Sequence, residues 1–365
     1  MNRQRSFVSA VMVLLSTLLF TGAAWASDQT RSFNVSPGES LEVSTRRGAI
    51  VLSPWNKNEV VVTVTGIDQE DLPDLQMGQA GNTVRVDFRP KYNDSSKDAR
   101  FEISLPSQFN VSLRTAGGDI EIRGPMKGDL KGSTSGGNIQ LADVDGKADM
   151  STSGGNILAG SVQGDAQLKT SGGNITVGNV GKTLNAKTAG GDINVGDVGG
   201  EAIASTAGGN VTVGSVSGSV DLKTAGGNIR LRGGSGKITA KTAGGTLDIK
   251  NVSGSIEAKT AGGSIEAELI PSGTGTSRLQ TAGGDVRLFL PENARASIEA
   301  LIRLRGESGR VSGRYEIRAD FPHQTLKRDD DAGEIRASYL LNGGGERISL
   351  ETVNGNIEIR KLTAK

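Results

Sequence analysis

The sequence predicts an all-β protein, a β-solenoid or β-helix with one coil of about 18 residues per repeat, capped by β-rich flanking segments. Three observations predict it. Thr-(Ala/Ser)-Gly-Gly begins at Thr115, Thr134, Thr152, Thr170, Thr188, Thr206, Thr224, Thr242, Thr260 and Thr281, with a first step of 19 residues, then seven of 18, then one of 21. Apolar residues alternate with polar ones between the glycine pairs, which is the period of a strand. Glycine is abundant, at 53 of 365 residues, without a period of three, so a turn-rich repeat fits better than collagen.

The unit Thr170 to Lys187 serves as reference. Ile175 and Val177 flank Thr176 in one strand, and Leu184 and Ala186 alternate with Asn185 and Lys187 in a second. Val180 sits at a corner between them, and Gly172, Gly173, Gly178 and Gly181 mark turns that need positive φ or close backbone approach. Aligned units give apolar columns. One runs Ile139, Ile157, Ile175, Ile193, Val211, Ile229, Leu247, Ile265; another runs Val144, Val162, Val180, Val198, Val216, Gly234, Val252. A third runs Leu130, Ala148, Ala166, Leu184, Ala202, Val220, Ile238, Ile256. All three columns belong inside. A single unit buries too few side chains to offset the entropy of ordering it, so the units must stack. An eight-stranded barrel is the competing all-β fold, but it does not require a glycine pair in every unit.

The flanks complete the domain plan: residues 1–26 as a signal peptide that is removed, 27–110 as an N-terminal β-rich cap, 111–285 as the repeat solenoid, and 286–365 as a C-terminal β-rich cap continuous with it. Residues 1–26 have the pattern of a Sec-type signal: Arg3 and Arg5, an apolar run from Phe7 to Phe20, and Ala24-Trp25-Ala26 as a small-x-small cleavage site, so the mature chain is expected to begin near Ser27. The alternative, an uncleaved anchor, asks for about 20 apolar residues, and the run is shorter. No membrane span is expected in the mature chain, and its expected location is the periplasm, the cell surface or the medium. In the N-terminal cap, strands are expected at Glu39 to Val43, Val60 to Val64, Thr83 to Phe88 and Phe101 to Leu105, with Ser44 to Ile50 as a degenerate coil start and Lys91 to Arg100 as a loop. In the C-terminal cap a polar loop is expected near Lys327 to Gly333, and Thr352 to Ile357 echoes the repeat.

Composition excludes several chemistries. With no cysteine there are no disulfides, thiolate nucleophiles or Cys-bound zinc, and the single histidine, His323, rules out multi-His metal sites. A net charge of +1 gives no global argument for nucleic acid. No cofactor, metal site or catalytic residue is expected. A polysaccharide-processing β-helix enzyme needs an acidic cluster breaking the coil pattern, and none interrupts residues 115–265.

Four features remain as candidates. The threonine column, by the parity of Thr188, points inward or sits at a corner, with its hydroxyls bonded to backbone or to the next threonine; an exposed ladder for ice or sugar is the alternative. The column Asn138, Asn156, Asn174, Asp192, Asn210, Asn228 follows the glycine pair, where Asn and Asp tolerate turn geometry and bond to neighbouring backbone; it reads as a stacked amide ladder, since calcium asks for more carboxylates than Asp192 alone. Asp329-Asp330-Asp331 beside Lys327-Arg328 reads as a solvated loop, with a weak cation site as the alternative. The lysine column Lys169, Lys187, Lys223, Lys241, Lys259, interrupted by Ser205, points outward. It is either a solvated, aggregation-resistant face or an anionic-ligand stripe, with Asp221 and Glu257 offsetting part of its charge.

The N-terminal strands, the Thr-Ala-Gly-Gly-Asp-Ile-type repeats and the closing Asn354-Gly355-Asn356-Ile357-Glu358-Ile359 together resemble a bacterial family of unknown function that carries the label "putative adhesin". The resemblance covers nearly all of the mature chain. It implies an exported or envelope-associated β-solenoid and brings no catalytic residues with it. The expected role is therefore an adhesin-like envelope binding or structural module, not an enzyme. Expected partners are an envelope or surface polysaccharide or another envelope protein, and end-to-end self-association into a scaffold is the alternative.

Overall fold

The computed structural model describes residues 28–91, 96, 99–272, 275–305 and 314–362. The expected signal peptide, residues 1–26, lies outside them, as does most of the expected loop at 91–100. Each repeat forms one coil that contributes a strand to each of two long sheets. In the first sheet Ile175–Val177 pairs in parallel with Ile157–Ala159 on one side and Ile193–Val195 on the other. In the second, Leu184–Lys187 lies between Ala166–Lys169 and Ala202–Ser205. At a narrow third edge, Val144, Val162, Val180, Val198 and Val216 are joined by single parallel bridges. From Thr134 to Thr260 the coils pair residues 18 apart, save at the irregular Val252–Leu269 pair, and the first and last steps pair residues 19 and 21 apart, so equivalent side chains sit over one another.

The first sheet has 16 strands. The second is open, not a barrel. Its Ser40–Thr45 strand pairs with Thr83–Phe88 and Asn110–Arg114, and the repeat strands at 184–187 and 202–205 pair directly with each other. Leu75–Ala80 and Thr325–Asp329 are its outermost strands.

The three apolar columns are the core. Their members from Leu130 to Ile265 are 0–3% exposed, apart from the glycine at 234. A second inward position on each strand, such as Leu168, Ala186, Ala204 and Leu222, adds to them. Volume is conserved between coils where single positions deviate. Gly132 leaves room that the Met150 sulfur fills, 2.6 Å from where a Cβ would stand, and Ile238 Cδ1 does the same at Gly234. Close packing of this kind requires that a small residue in one coil be matched by a large one beside it.

Antiparallel strands close both ends. Gln29–Asn34 pairs with Glu59–Thr65, which pairs with Arg100–Pro106, and Phe88, Phe101 and Phe109 are fully buried beneath them. The strands expected near 39–43, 60–64, 83–88 and 101–105 are all present. At the other end Ala296–Arg303 pairs with Glu334–Leu341. The expected polar loop at 327–333 is in part a strand: Thr325–Asp329 pairs antiparallel with 334–338, and only the turn that follows is loop. Every residue of that strand is exposed. It has no core face, so it shows none of the alternation by which a strand is read from sequence. One short 3-10 turn, Gln69–Asp74, is the helical element among the described residues.

Candidate functional site

The repeat corner is built from threonine and glycine. Each column threonine donates its hydroxyl to the carbonyl of the second glycine in the preceding coil, at 2.7–3.0 Å. The same hydroxyl accepts from the N–H of its own second glycine, as Gly173 does with Thr170 at 3.3 Å. The threonines are buried and bond to backbone, not to one another, so no exposed threonine ladder exists. Close approach is what demands glycine here. A Cβ on the second glycine of each pair would stand 1.9–2.3 Å from the carbonyl oxygen above it, and none of these glycines has positive φ.

Beside the corner the asparagine column also serves the backbone. Each Oδ1 accepts the main-chain N–H of its counterpart one coil on, at 2.6–2.9 Å, from Asp119 and Asn138 through Asn228 to Thr246. The stacked column is thus bonded to neighbouring backbone, as expected, and amide-to-amide bonds are secondary. Side-chain-to-side-chain bonds accompany it only at Asn138–Asp119, Asn210–Asp192 and Thr246–Asn228. The oxygens are spent on N–H groups and are not presented to a cation. Among the described residues there is no group of three or more His, Cys, Asp or Glu placed to hold a metal. Asp329 accepts from Ala332 N, Asp330 pairs with Arg328 at 2.9 Å, and His323 is exposed.

The lysine column is brought together in register. Lys169 pairs with Lys187, Lys187 with Ser205, Ser205 with Lys223, Lys223 with Lys241, and Lys241 with Lys259. Lys241 is half-buried and the other four lysines are exposed. Adjacent strands lie about 4.8 Å apart, so neighbouring ammonium groups share one face. Acidic partners are unevenly distributed. Lys223 Nζ is 2.6 Å from Asp221, and Lys241 Nζ is 2.6 Å from Glu257. The Lys241 hydrogen bond holds the Glu257 carboxyl below its ordinary range, against a small opposing effect of burial. Glu257 thus serves Lys241, one coil back, and not Lys259. Lys169, Lys187 and Lys259 have no ion-pair partner among the described residues. Beside the first two, two residues upstream, stand the uncharged Gln167 and Asn185.

The first sheet's outer face carries an alternating ladder: Arg230 to Asp248 at 3.0 Å, Lys250 to Glu266 at 3.7 Å, Arg287 between Glu266 and Glu358 at 4.0 Å from each. These charges are internally paired.

A family model described as Toastrack DUF4097 matches residues 26–199 and again 167–360. The chain belongs to the Toastrack DUF4097 family. Membership agrees with the resemblance drawn from the repeat and the closing Asn-Gly-Asn-Ile-Glu-Ile. No curated protein matches this Toastrack chain. Among solved structures it is similar to a putative adhesin from Bacteroides fragilis, at 12% identity over 92% of this chain and 97% of that one, with a TM-score of 0.25. It is similar to a putative adhesin from Parabacteroides merdae at 12% identity over 91% and 95%, with a TM-score of 0.31. A third, described as a putative lipid binding protein from Parabacteroides distasonis, is 12% identical over 92% and 97%, with a TM-score of 0.22. Likeness at this level carries no argument about what the Toastrack chain binds. No helix among its described residues is long and apolar enough to cross a membrane.

Proposed function

We propose that this protein is an exported, non-enzymatic, adhesin-like module of the cell envelope that binds an anionic polymer along its lysine column. One observation carries the reading: Lys169, Lys187 and Lys259 stand on one face, in register with Lys223 and Lys241, with no acidic partner of their own among the described residues. Lys169 and Lys187 stand on adjacent strands about 4.8 Å apart, and like charges so placed are unfavourable unless solvent or a polyanion neutralises them. A polymer with repeated carboxylate, sulfate or phosphate groups matches such a row better than a small ligand does, because many weak contacts act together. Export is supported by the Arg3, Phe7–Phe20 and Ala24-Trp25-Ala26 pattern of residues 1–26.

An array of envelope and surface polysaccharides probed with the mature protein tests the binding. Retention of acidic glycans, weakened at high salt and lost in a Lys169→Ser, Lys187→Ser, Lys259→Ser triple variant, supports the reading. Undiminished binding by the triple variant overturns it. Concentration-dependent filaments without glycan binding favour the self-assembling scaffold instead. For export, N-terminal sequencing of protein from fractionated cells is expected to start near Ser27, and a cytoplasmic chain that retains residues 1–26 overturns it.

A further inference from the structure

The first corner of the stack breaks a hydrogen-bond pattern that the eight corners from Thr134 to Thr260 keep. From Thr134 to Thr260, the residue after the threonine and the first glycine both donate their N–H groups to one carbonyl in the preceding coil. Ala207 and Gly208, for example, donate to Ala189 O at 3.1 and 3.0 Å. In the coil beginning at Thr115 the corresponding donors are Ala116 and Gly117, and the preceding corner is Thr45-Arg46-Arg47-Gly48. Thr115 does bond Gly48 O at 3.0 Å, so the two corners are stacked. Gly48, however, has φ +100, which no second glycine of the repeat corners shares. Neither Ala116 N–H nor Gly117 N–H has an acceptor among the described residues. Asp119 N–H is also without one, because Ala49 occupies the ladder position above it and offers no side-chain oxygen.

The residues that carry these three donors line a cleft of about 620 Å³ whose other walls include Arg46, Arg47 and Arg100. The single acidic wall residue, Asp119, already accepts Asn138 N–H at 2.6 Å, and Arg100 is paired with Glu102 at 2.8 Å. Arg46 and Arg47 have no ion-pair partner among the described residues. Arginines occupy positions where the repeat has alanine or serine and then glycine, so two guanidinium groups stand where the other corners are bare, and that of Arg46 also donates to Pro90 O at 3.4 Å. Successive free backbone N–H groups beside fixed positive charge form an anion-binding concavity.

We propose that this cleft is a phosphate site, for free phosphate or for a phosphate esterified to an envelope polymer. Donors arrive from the backbone of one coil and from the guanidinium groups of the coil above. A tetrahedral oxyanion satisfies both sets at once, whereas a planar carboxylate has two oxygens on one edge. The site is separate from the lysine column, on the corner and not on the strand face.

The test is a titration of the mature protein with inorganic phosphate at low salt, followed by amide NMR. Shifts confined to Ala116, Gly117, Gly118 and Asp119 are expected, with acetate at the same concentration producing much less. Arg46→Gln with Arg47→Gln is expected to weaken phosphate binding about tenfold or more. The Lys169, Lys187, Lys259 triple serine variant is expected to bind phosphate as the wild type does. Both arginines reach solvent, so circular dichroism is expected to show an unchanged fold, and Arg47→Lys, which keeps the charge, is expected to recover part of the affinity. Poly(glycerol phosphate), applied to the triple serine variant, separates the sources: binding lost with the arginines assigns a polymer-borne phosphate, and binding of inorganic phosphate alone assigns the free ion. Absence of shifts at these amides, or equal affinity in the double glutamine variant, overturns the proposal.

Discussion

Thr170 Oγ1 donates to Gly155 O at 2.8 Å and in turn accepts Gly173 N–H at 3.3 Å, so one buried hydroxyl joins two successive corners. Valine has nearly the same shape and neither polar function. Thr170→Val therefore leaves a buried carbonyl and a half-buried N–H unpaired, which costs about 1–3 kcal/mol. The expected outcome in urea unfolding is a loss of that size, with Thr170→Ser close to wild type and faster hydrogen exchange at Gly173 in the valine variant. Equal unfolding midpoints for valine and threonine would show that the hydroxyl fills space only.

The two glycines of a pair are expected to differ sharply. A Cβ on Gly173 would stand 2.1 Å from Gly155 O, while one on Gly172 would stand 3.4 Å from Gly154 O. The first distance is impossible without moving the coil; the second is a tight contact that small shifts relieve. Gly173→Ala is expected to destabilise by more than the roughly 1–3 kcal/mol of ordinary overpacking. Gly172→Ala is expected to stay within about 1 kcal/mol of wild type, because alanine also restricts the unfolded chain. Thermal melts of the two variants give the comparison, and similar losses in both would contradict the close-approach account.

The same contrast shows what the sequence made legible and why. Ile175, Val180 and Leu184 could be placed inside because alternation and an 18-residue step leave one stacked arrangement, and register then fixed Lys169 over Lys187. Hydrogen-bond destinations were legible only in part. That Asn156 serves the N–H of Asn174 and not its side chain depends on distances that residue type does not encode. Glu257 lies two residues before Lys259 in the chain yet bonds Lys241, because a neighbouring strand is as near as the next residue but one. The Thr325–Asp329 strand left no signal because both its faces meet solvent. The cleft at Arg46 and Arg47 did leave one. Two arginines in a Thr-x-x-Gly corner replace residues that are small in every repeat, and the reading stopped at calling that corner degenerate.

Gly234 interrupts a column of valines, and the vacancy is filled from the next strand by Ile238, whose Cδ1 lies 2.6 Å from where a Cβ would be. Restoring the consensus with Gly234→Val is thus expected to destabilise by about 1–3 kcal/mol through overpacking. Ile238→Ala alone is expected to cost about 2–5 kcal/mol, as a large-to-small change in a packed core. Together the two changes are expected to cost clearly less than the sum, because the valine occupies the space the isoleucine leaves. A double-mutant cycle in urea measures this coupling. Additive losses would mean that the two positions do not share one volume.

Asp320 ties down the end of the last strand of the first sheet's main stack, Ile357–Lys361. Its Oδ2 accepts Lys361 N–H at 3.0 Å and its Oδ1 accepts Arg360 Nη1 at 3.0 Å. The backbone bond first, and then the guanidinium bond, hold its carboxyl below the ordinary aspartate range. A carboxyl with a depressed folded pKa contributes stability at pH values above its unfolded pKa of about 3.9, and that contribution disappears as the pH falls through the lower folded value. Asp320→Asn is therefore expected to lower the melting temperature slightly at pH 7, by less than about 1 kcal/mol of stability for a partly exposed group screened by solvent. The two proteins are expected to converge as the pH is taken down past the folded pKa. Added salt is expected to shrink the Arg360 share while leaving the Lys361 N–H bond. Thermal melts of both proteins from pH 7 to pH 2 read this directly, and a gap that stays constant over the whole range would remove Asp320 ionisation from the account.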